Sequence, residues 1–378
     1  MCIPPKVRES LFFLRGLLRG GKRNILRKIE KESHKDHLSW YAESEDGQYW
    51  SKAFKKLAIE TDARGEVLAD EFYNGSIEII KENQKPQDQS VILICAAKNE
   101  CENLKQIYEH YSKIGVDSFA FIDNNSSDDT VKTFLDYSNV NMYSAKDDYT
   151  SIRRQAWINR VMAHYGFEKW YLVIDSDEYL TYNQAEVHSI NDVIDFCKAR
   201  RINRMRALMV DMYPSKVVMN DEVVDFLKDF CFFDHDTYVT MKGKNELLLQ
   251  GIQGGVRSRI FMKDGVNMPW LTKYPLVYHT RGDIQFQSHM AFPFYKNFQS
   301  DSYLVIRHYK FLPTDLKKYR ERAQSGNFAN GSGEYIQYTK EMEKGYVEFY
   351  DANHSMSFLN SESFYKISVM TEIPWNTL

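Results

Sequence analysis

Cysteine is scarce in this sequence. Its 378 residues hold five, Cys2, Cys95, Cys101, Cys197 and Cys231, with no Cys-x-x-Cys pair among them. An odd number without that spacing argues against a disulfide framework and a structural zinc site, and suits a reducing compartment. Long apolar runs are lacking too; none nears the roughly 18–20 residues that span a bilayer. Near the start the best run is LFFL (11–14), cut by Arg15, so no signal peptide is expected. Neither sign of charge dominates. A net charge of −3 leaves no footprint for a nucleic-acid partner. These absences point to a cytoplasmic protein. Aromatic residues are plentiful instead, 14% of the chain with 25 Tyr and 23 Phe. Such rings fill a core and also stack on bases and sugars.

The first residues differ from the rest. KVRESLFFLRGLLRGGKRNILRKIEK (6–31) carries nine Lys/Arg against Glu9 and Glu30. Leu11, Leu14 and Leu18 share one helical face, and Ile25 and Ile29 share another after Gly20-Gly21. A basic amphipathic stretch of this kind suits an anionic membrane surface, which would make the protein peripheral on the inner face of the cell membrane. Residues 32–88 read as short helices and loops covering a main domain, and KENQKPQDQS (81–90) has linker composition.

From residue 91 the pattern is regular. VILICAA (91–97) is an unalternating apolar run, as in a strand buried on both faces. A helix at 102–114 ends at Gly115, and strand SFAFID (118–123), helix 127–137, strand 140–145 and helix 150–165 follow. WYLVID (170–175) is a fourth strand, and 190–200 and 205–210 continue the alternation. Strand and helix in turn at this spacing mean a mostly parallel sheet with crossover helices, an α/β fold whose ligands sit at the carboxyl ends of the strands. Three polar clusters end strands there: Lys98-Asn99-Glu100, the DNNSSDD run from Asp123 to Asp129, and Asp175-Ser176-Asp177-Glu178.

Asp175 and Asp177 are two acids close enough to raise each other's pKa unless a cation intervenes. Carboxylate oxygens suit Mg²⁺ or Mn²⁺, and the lack of adjacent thiolates or clustered histidines argues against zinc. Such an ion neutralises a diphosphate leaving group without moving a proton. Asp123 and Asn124 offer a carboxylate and an amide to a ribose or base, and Arg153 and Arg154 could offset phosphate charge.

The stretch CAAKNECENLKQIYEHYSKIGVDSFAFIDNNSSDDT (95–130) with DSDEYL (175–180), GGVRSRIF, KYPLVYH, SHM and IRHYKFL resembles the family-2-like glycosyltransferases of the GT-A fold. It is most similar to the branch shared by bacterial polysaccharide and lipopolysaccharide enzymes and the family-92 (DUF23-type) enzymes. The resemblance covers residues 90–325. It implies a GT-A domain at 89–325, a helical N-terminal extension at 1–88, and a C-terminal helical or irregular extension at 326–378. It further implies that Ala97, Asn99 and Glu100 line the nucleotide pocket with Asp123, and that Asp175 and Asp177 hold Mn²⁺ or Mg²⁺, with Asp177 the direct ligand. His289 or His308 would complete the metal site. Inversion at the anomeric carbon needs a general base; Asp211, after strand 205–210, is the candidate, with Asp283 the alternative. The Glu-Asp dipeptide that many family-2 enzymes carry in the acceptor region is missing.

The implied activity is transfer of a hexose from a nucleotide diphosphate sugar, UDP-linked, to a glycan or lipid-linked acceptor in cell-surface polysaccharide synthesis. Trp270, Tyr278, Phe286 and Tyr309 would stack on acceptor sugars. Two other readings compete: a non-catalytic nucleotide-sugar-binding protein, and a phosphatase with an Asp-x-Asp strand end. The phosphatase pattern departs here, since Tyr179 stands where Thr or Val is usual.

Overall fold

The computed structural model describes residues 46–61, 63–83, 91–218, 225–242, 250–262, 268–313, 315–366 and 369–375. The basic stretch 6–31 and most of the 81–90 segment lie outside the described residues. The chain divides into two compact units: Met1–Ser176 with Val193–Met205 and Tyr274–Asp301, and Asp177–Asp192 with Arg206–Lys273 and Ser302–Leu378.

The first unit opens with helices α1 (Gly47–Glu60) and α2 (Ala63–Asn74). An alternation follows: β1 (Glu78–Lys81), β2 (Val91–Ala97), α3 (Cys101–Lys113), β3 (Ser118–Asp123), α4 (Thr130–Phe134), β4 (Val140–Ser144), α5 (Ser151–Tyr165) and β5 (Lys169–Ile174). β4, β3, β2 and β5 lie side by side in that order, all parallel. β1 runs antiparallel beside β4, and strand Thr272–His279 runs antiparallel beside β5. The expected α/β architecture with a mostly parallel sheet is therefore present.

Local chemistry explains the element ends. Gly115, at φ 99°, stops α3, and the Val116 N–H reaches back to the Tyr111 carbonyl at 2.9 Å. The Thr150 hydroxyl caps α5 by accepting from the Arg153 N–H at 3.1 Å. Two elements differ from the sequence expectation. The second crossover helix is only Thr130–Phe134, because Asp123–Asp129 is used in a turn. β1, with the short sequence EIIK and mostly exposed side chains, carries no alternation that would announce it.

α1 and α2 are part of this unit's core. Trp50, Phe54, Leu57, Leu68 and Phe72 are buried with Trp157 and Val161 of α5 and with Ile92 and Ile94 of β2. Burying side chains of this size stabilises by about 1.5–3 kcal/mol each. Arg160 of α5 donates to the Phe72 carbonyl at 2.7 Å and ties α2 down. Beside them lies a ring stack: His279 packs on Trp50 at 5.4 Å and on Phe167 at 5.4 Å, with planes 2° apart in the second pair.

In the second unit, β6 (Glu178–Thr181), β7 (Arg204–Met212, entering the unit at Arg206) and β8 (Tyr303–Tyr309) form the frame. β8 lies between the other two, parallel to β7 and antiparallel to β6. His308 is thereby opposite Asp211 on one side and Glu178 on the other. Residues beyond 313 belong to this unit. Helices Asp315–Ser325 and Ala329–Met342 pack on each other, strand Tyr346–Glu348 pairs with Lys216–Val218, and Ser355–Ser357 pairs with Phe232–Asp234. Buried Asp234 accepts from Tyr213, Thr237 and Arg259 and locks that pairing. Among the described residues no helix is long and apolar enough to cross a membrane.

His279 carries a stability consequence. Burial pushes its pKa down from 6.5 to about 4, against the pull of Asp283 and with help from Arg204 and Lys296. Its folded pKa lies below its unfolded one, so its neutral form stabilises the fold above pH 6.5. That contribution is lost as pH falls from 6.5 towards 4, about 2 kcal/mol between pH 7 and pH 5. His279→Phe should remove this component, so that denaturation midpoints at pH 5 and pH 7 draw together; an unchanged gap rules it out.

Candidate active site

The first two polar clusters do meet, at the carboxyl ends of β2 and β3 in the first unit. Asn99 and Asn125 both take left-handed backbone, each at φ 55°, a conformation asparagine tolerates. The Asn99 N–H donates to Ser126 Oγ at 2.8 Å, and its side-chain oxygen accepts from the Ser127 N–H at 2.7 Å. The Asn124 N–H donates to the Ala97 carbonyl at 2.9 Å. Asp128 accepts from the N–H groups of Cys101 and Thr130, at 3.3 and 3.0 Å, and so holds the starts of α3 and α4. Burial opposes its charge, but the Thr130 hydroxyl and these amides hold its carboxyl below the usual range. Most of DNNSSDD is thus structural. Asp123 is different. One oxygen accepts from the Ser126 N–H at 3.2 Å; the other is buried and takes no hydrogen bond. Glu100 holds Asn103 through one oxygen at 2.5 Å.

At the end of β5 the chain turns through Asp175-Ser176-Asp177 before β6 begins. Asp175 is ion-paired to Arg154, which is buried on α5. Arg153 instead engages Glu71 at 3.0 Å and the Asp148 carbonyl at 3.0 Å. Asp177 belongs to the second unit and to a different set of partners.

Among the described residues, Asp177, Glu178 and His308 form a group whose possible metal-ligand atoms all lie within 4.8 Å of one another. His308 Nδ1 lies 2.5 Å from Asp211 Oδ1. A carboxylate only accepts, so Nδ1 carries the ring proton and donates. In the neutral ring Nε2 then keeps its lone pair, and it lies 3.5 Å from Asp177 Oδ2. Metal-bound histidines are commonly held in this way by a carboxylate behind them. Two carboxylates and one imidazole suit Mn²⁺ or Mg²⁺ better than zinc. Of the two histidines expected to complete a metal site, His308 is in this group. His289 is half-buried in the hairpin turn between strands Ile284–Gln287 and Met290–Phe292 of the first unit. Asp175 is not in the group.

Cations surround the group. Lys310 donates to Asp177 Oδ2 at 3.1 Å, Lys273 pairs with buried Glu178, and Arg257 Nε donates to Asp211 Oδ2 at 2.8 Å. Arg257 is placed by a turn that requires glycine. At Gly254, φ is 121° and an added Cβ would meet the Thr237 carbonyl oxygen at 2.1 Å; the helix that follows, Gly255–Phe261, carries Arg257. Burial alone would raise the Asp177 pKa, but Lys310 holds it well below the carboxylate range. Burial likewise opposes the Asp211 charge, which Arg257 and His308 outweigh.

Both oxygens of Asp211 are therefore taken, and its acidity is held high. Asp283 is placed similarly, buried between Arg204 at 3.1 Å and Lys296 at 2.9 Å. Neither has the free, weakly acidic form that suits proton abstraction. Of the rings expected to stack on sugars, Phe286 and Tyr309 are buried. Lys310, Lys273 and Arg257 escaped the sequence reading. Lys310 had a signal, since two positions after His308 on an extended chain is the same face.

No family model matches the chain, and no curated protein matches it. Among solved structures it is similar to TarS of S. aureus, residues 1–349, at 12% identity and a TM-score of 0.27, over 63% of this chain and 64% of that one. It is also similar to glucosyl-3-phosphoglycerate synthase of Mycobacterium tuberculosis, solved in complex with Mn²⁺, uridine diphosphate and glucosyl-3-phosphoglycerate. That likeness has 15% identity and a TM-score of 0.22, over 36% of this chain and 52% of that one. The chain spans less than two thirds of the length of either. Likeness this faint carries no weight for the chemistry of this chain.

Removing the Asp211 carboxylate should be costly, because buried Arg257 then keeps only its longer contact to Glu334, 3.6 Å from Nη1. Asp211→Ala is expected to lose on the order of 3–5 kcal/mol by chemical denaturation; a loss under about 1 kcal/mol contradicts the buried pair.

Proposed function

We propose that the protein is a metal-dependent glycosyltransferase of the GT-A type. It would move a hexose from a nucleotide diphosphate sugar, UDP-linked, to a glycan or lipid-linked acceptor. The observation that carries this is His308, its ring proton fixed on Asp211 and its other nitrogen turned to Asp177. That donor set, beside the DSDEYL turn, suits a hard divalent cation. The sequence likeness of the KNE, DNNSSDD and DSDEYL elements to the family-2-like enzymes supports the same reading.

In this reading Asp177, Glu178 and His308 hold Mn²⁺ or Mg²⁺. When bound, such an ion would neutralise charge growing on the departing diphosphate. Asp211 acts through His308 by fixing its tautomer. Asp123 keeps a buried oxygen for a ribose hydroxyl or base N–H, with Ala97, Asn99 and Glu100 around the nucleoside. Asp175, oriented by Arg154, serves the donor as well. Neither Asp211 nor Asp283 is given the role of base. The place of the reaction is the inner membrane face, with residues 6–31 as the anchor, in synthesis of a cell-surface polysaccharide.

The test is purified full-length protein with Mn²⁺, a panel of nucleotide sugars and candidate acceptors. Acceptor-dependent release of nucleoside diphosphate supports transfer. Phosphate release from monoesters supports a phosphatase, and saturable binding without turnover across the panel supports a binding protein. Asp177→Ala should abolish metal-dependent turnover while the circular dichroism spectrum and melting cooperativity persist; full activity in that variant sinks the metal assignment. Deleting residues 1–31 should release the protein from anionic vesicles, and equal binding by the truncated chain rejects the anchor.

A further inference from the structure

Each carboxylate of the Asp177 group and its support already has a cation: Lys310 on Asp177, Lys273 on Glu178 and Arg257 on Asp211. These pairs are not alike in exposure. The side chains of Lys273 and Glu178 are 6% and 1% exposed, and those of Arg257 and Asp211 4% and 2%. Asp177 is 24% exposed and Lys310 13%. Breaking a sealed pair strands a charge in the interior, which costs several kcal/mol. A pair open to water exchanges partners at far smaller cost. Of the three, the Lys310–Asp177 pair is therefore the least sealed and the readiest to open.

It also stands where opening is needed. Lys310 binds Asp177 Oδ2, the oxygen that lies 3.5 Å from His308 Nε2. An ammonium on that oxygen competes with any cation that Asp177 and His308 would share. Lysine is suited to moving. It is a point charge on a flexible stem with three donors and no fixed fork geometry.

We infer that Lys310 is the resident counter-ion of Asp177, that it yields this carboxylate to the incoming divalent cation, and that the released ammonium then binds a phosphate oxygen of the donor's diphosphate. This rests on reading the group as a divalent-cation site for a nucleotide diphosphate. The exchange couples the two ligands. Metal alone must displace Lys310 with nothing to receive it, whereas metal with nucleoside diphosphate gives the ammonium a new anion. By linkage, the nucleotide tightens metal binding and the metal tightens nucleotide binding by the same factor.

The experiment measures Mn²⁺ binding by electron paramagnetic resonance of the free ion, at fixed pH and ionic strength, with and without UDP. It compares full-length wild type, Lys310→Met, Lys310→Arg and Asp177→Asn. The exposed Lys317 supplies a charge-matched control as Lys317→Met. Lys310→Met should bind Mn²⁺ alone roughly tenfold more tightly than wild type, and UDP should tighten its Mn²⁺ binding by a smaller factor. Lys317→Met should follow wild type, whereas Lys310→Arg, whose planar fork holds the carboxylate more firmly, should bind Mn²⁺ alone no more tightly than wild type. Equal Mn²⁺ affinity and equal tightening in Lys310→Met and wild type, with binding lost in Asp177→Asn, overturns the role of Lys310 and leaves the metal site standing. Mn²⁺ binding that ignores Asp177 overturns the site and this inference together. Should Lys310→Met fail to fold, wild type decides alone: Mn²⁺ and UDP that bind without tightening one another overturn the exchange.

Discussion

The hydrogen bond from His308 to Asp211 is the constraint from which the rest of the second unit's chemistry follows. A free imidazole samples two tautomers and two ring orientations. Here the proton is fixed on Nδ1 by a carboxylate that can only accept. That bond exists because β7 and β8 run parallel with Asp211 and His308 in register. It is reinforced because Arg257 occupies the second Asp211 oxygen. The arginine depends in turn on Gly254, where no side chain fits. Strand register, a glycine turn and a buried ion pair converge on the orientation of one ring nitrogen.

The first unit solves a different problem, the satisfaction of backbone where parallel strands end. Backbone amides that leave the ladder at a strand end still need partners. The Asn99–Ser126 and Asn99–Ser127 bonds and the Asp128 contacts to Cys101 and Thr130 provide them from side chains. Once that need is met, the polar atom left over is informative. Asp123 Oδ1 is buried without a hydrogen bond, and an unsatisfied buried oxygen costs about 1–3 kcal/mol. A ligand that donates to it recovers that cost, so the corner is primed at this atom rather than across the whole DNNSSDD run.

Much of the alternation was legible because parallel strands buried on both faces read as unbroken apolar runs. VILICAA and SFAFID are β2 and β3 to the residue. β1 was not legible, since four mostly exposed residues leave no pattern. Of the group Asp177, Glu178 and His308, Asp177 was legible as an acid at a strand end, and His308 only as one of two histidines that the family resemblance implied. The role of Asp211 was not. A carboxylate after a strand looks the same whether it faces an acceptor or a histidine ring, and the difference lies in the strand pairing. The lysines were hidden for a related reason. Their charges are neutralised by acids 95 and 133 positions away, and sequence separation of that size carries no local signal.

The acidic strand end DSDEYL gains its meaning from the same partners. Extended chain alternates its faces, so Asp175 and Asp177 would share one side if the strand ran on. The strand instead ends at these residues, and their partners differ: Asp175 pairs with Arg154 in the first unit, while Asp177 meets Lys310 and His308 in the second. Glu178 then begins β6 opposite His308 and is sealed against Lys273. Three neighbouring acids are stable together because each has its own cation. Their mutual repulsion is relieved before any ion arrives. A divalent cation is therefore not needed to hold this turn together. What it would change is which charge Asp177 faces, and that change is felt by Lys310.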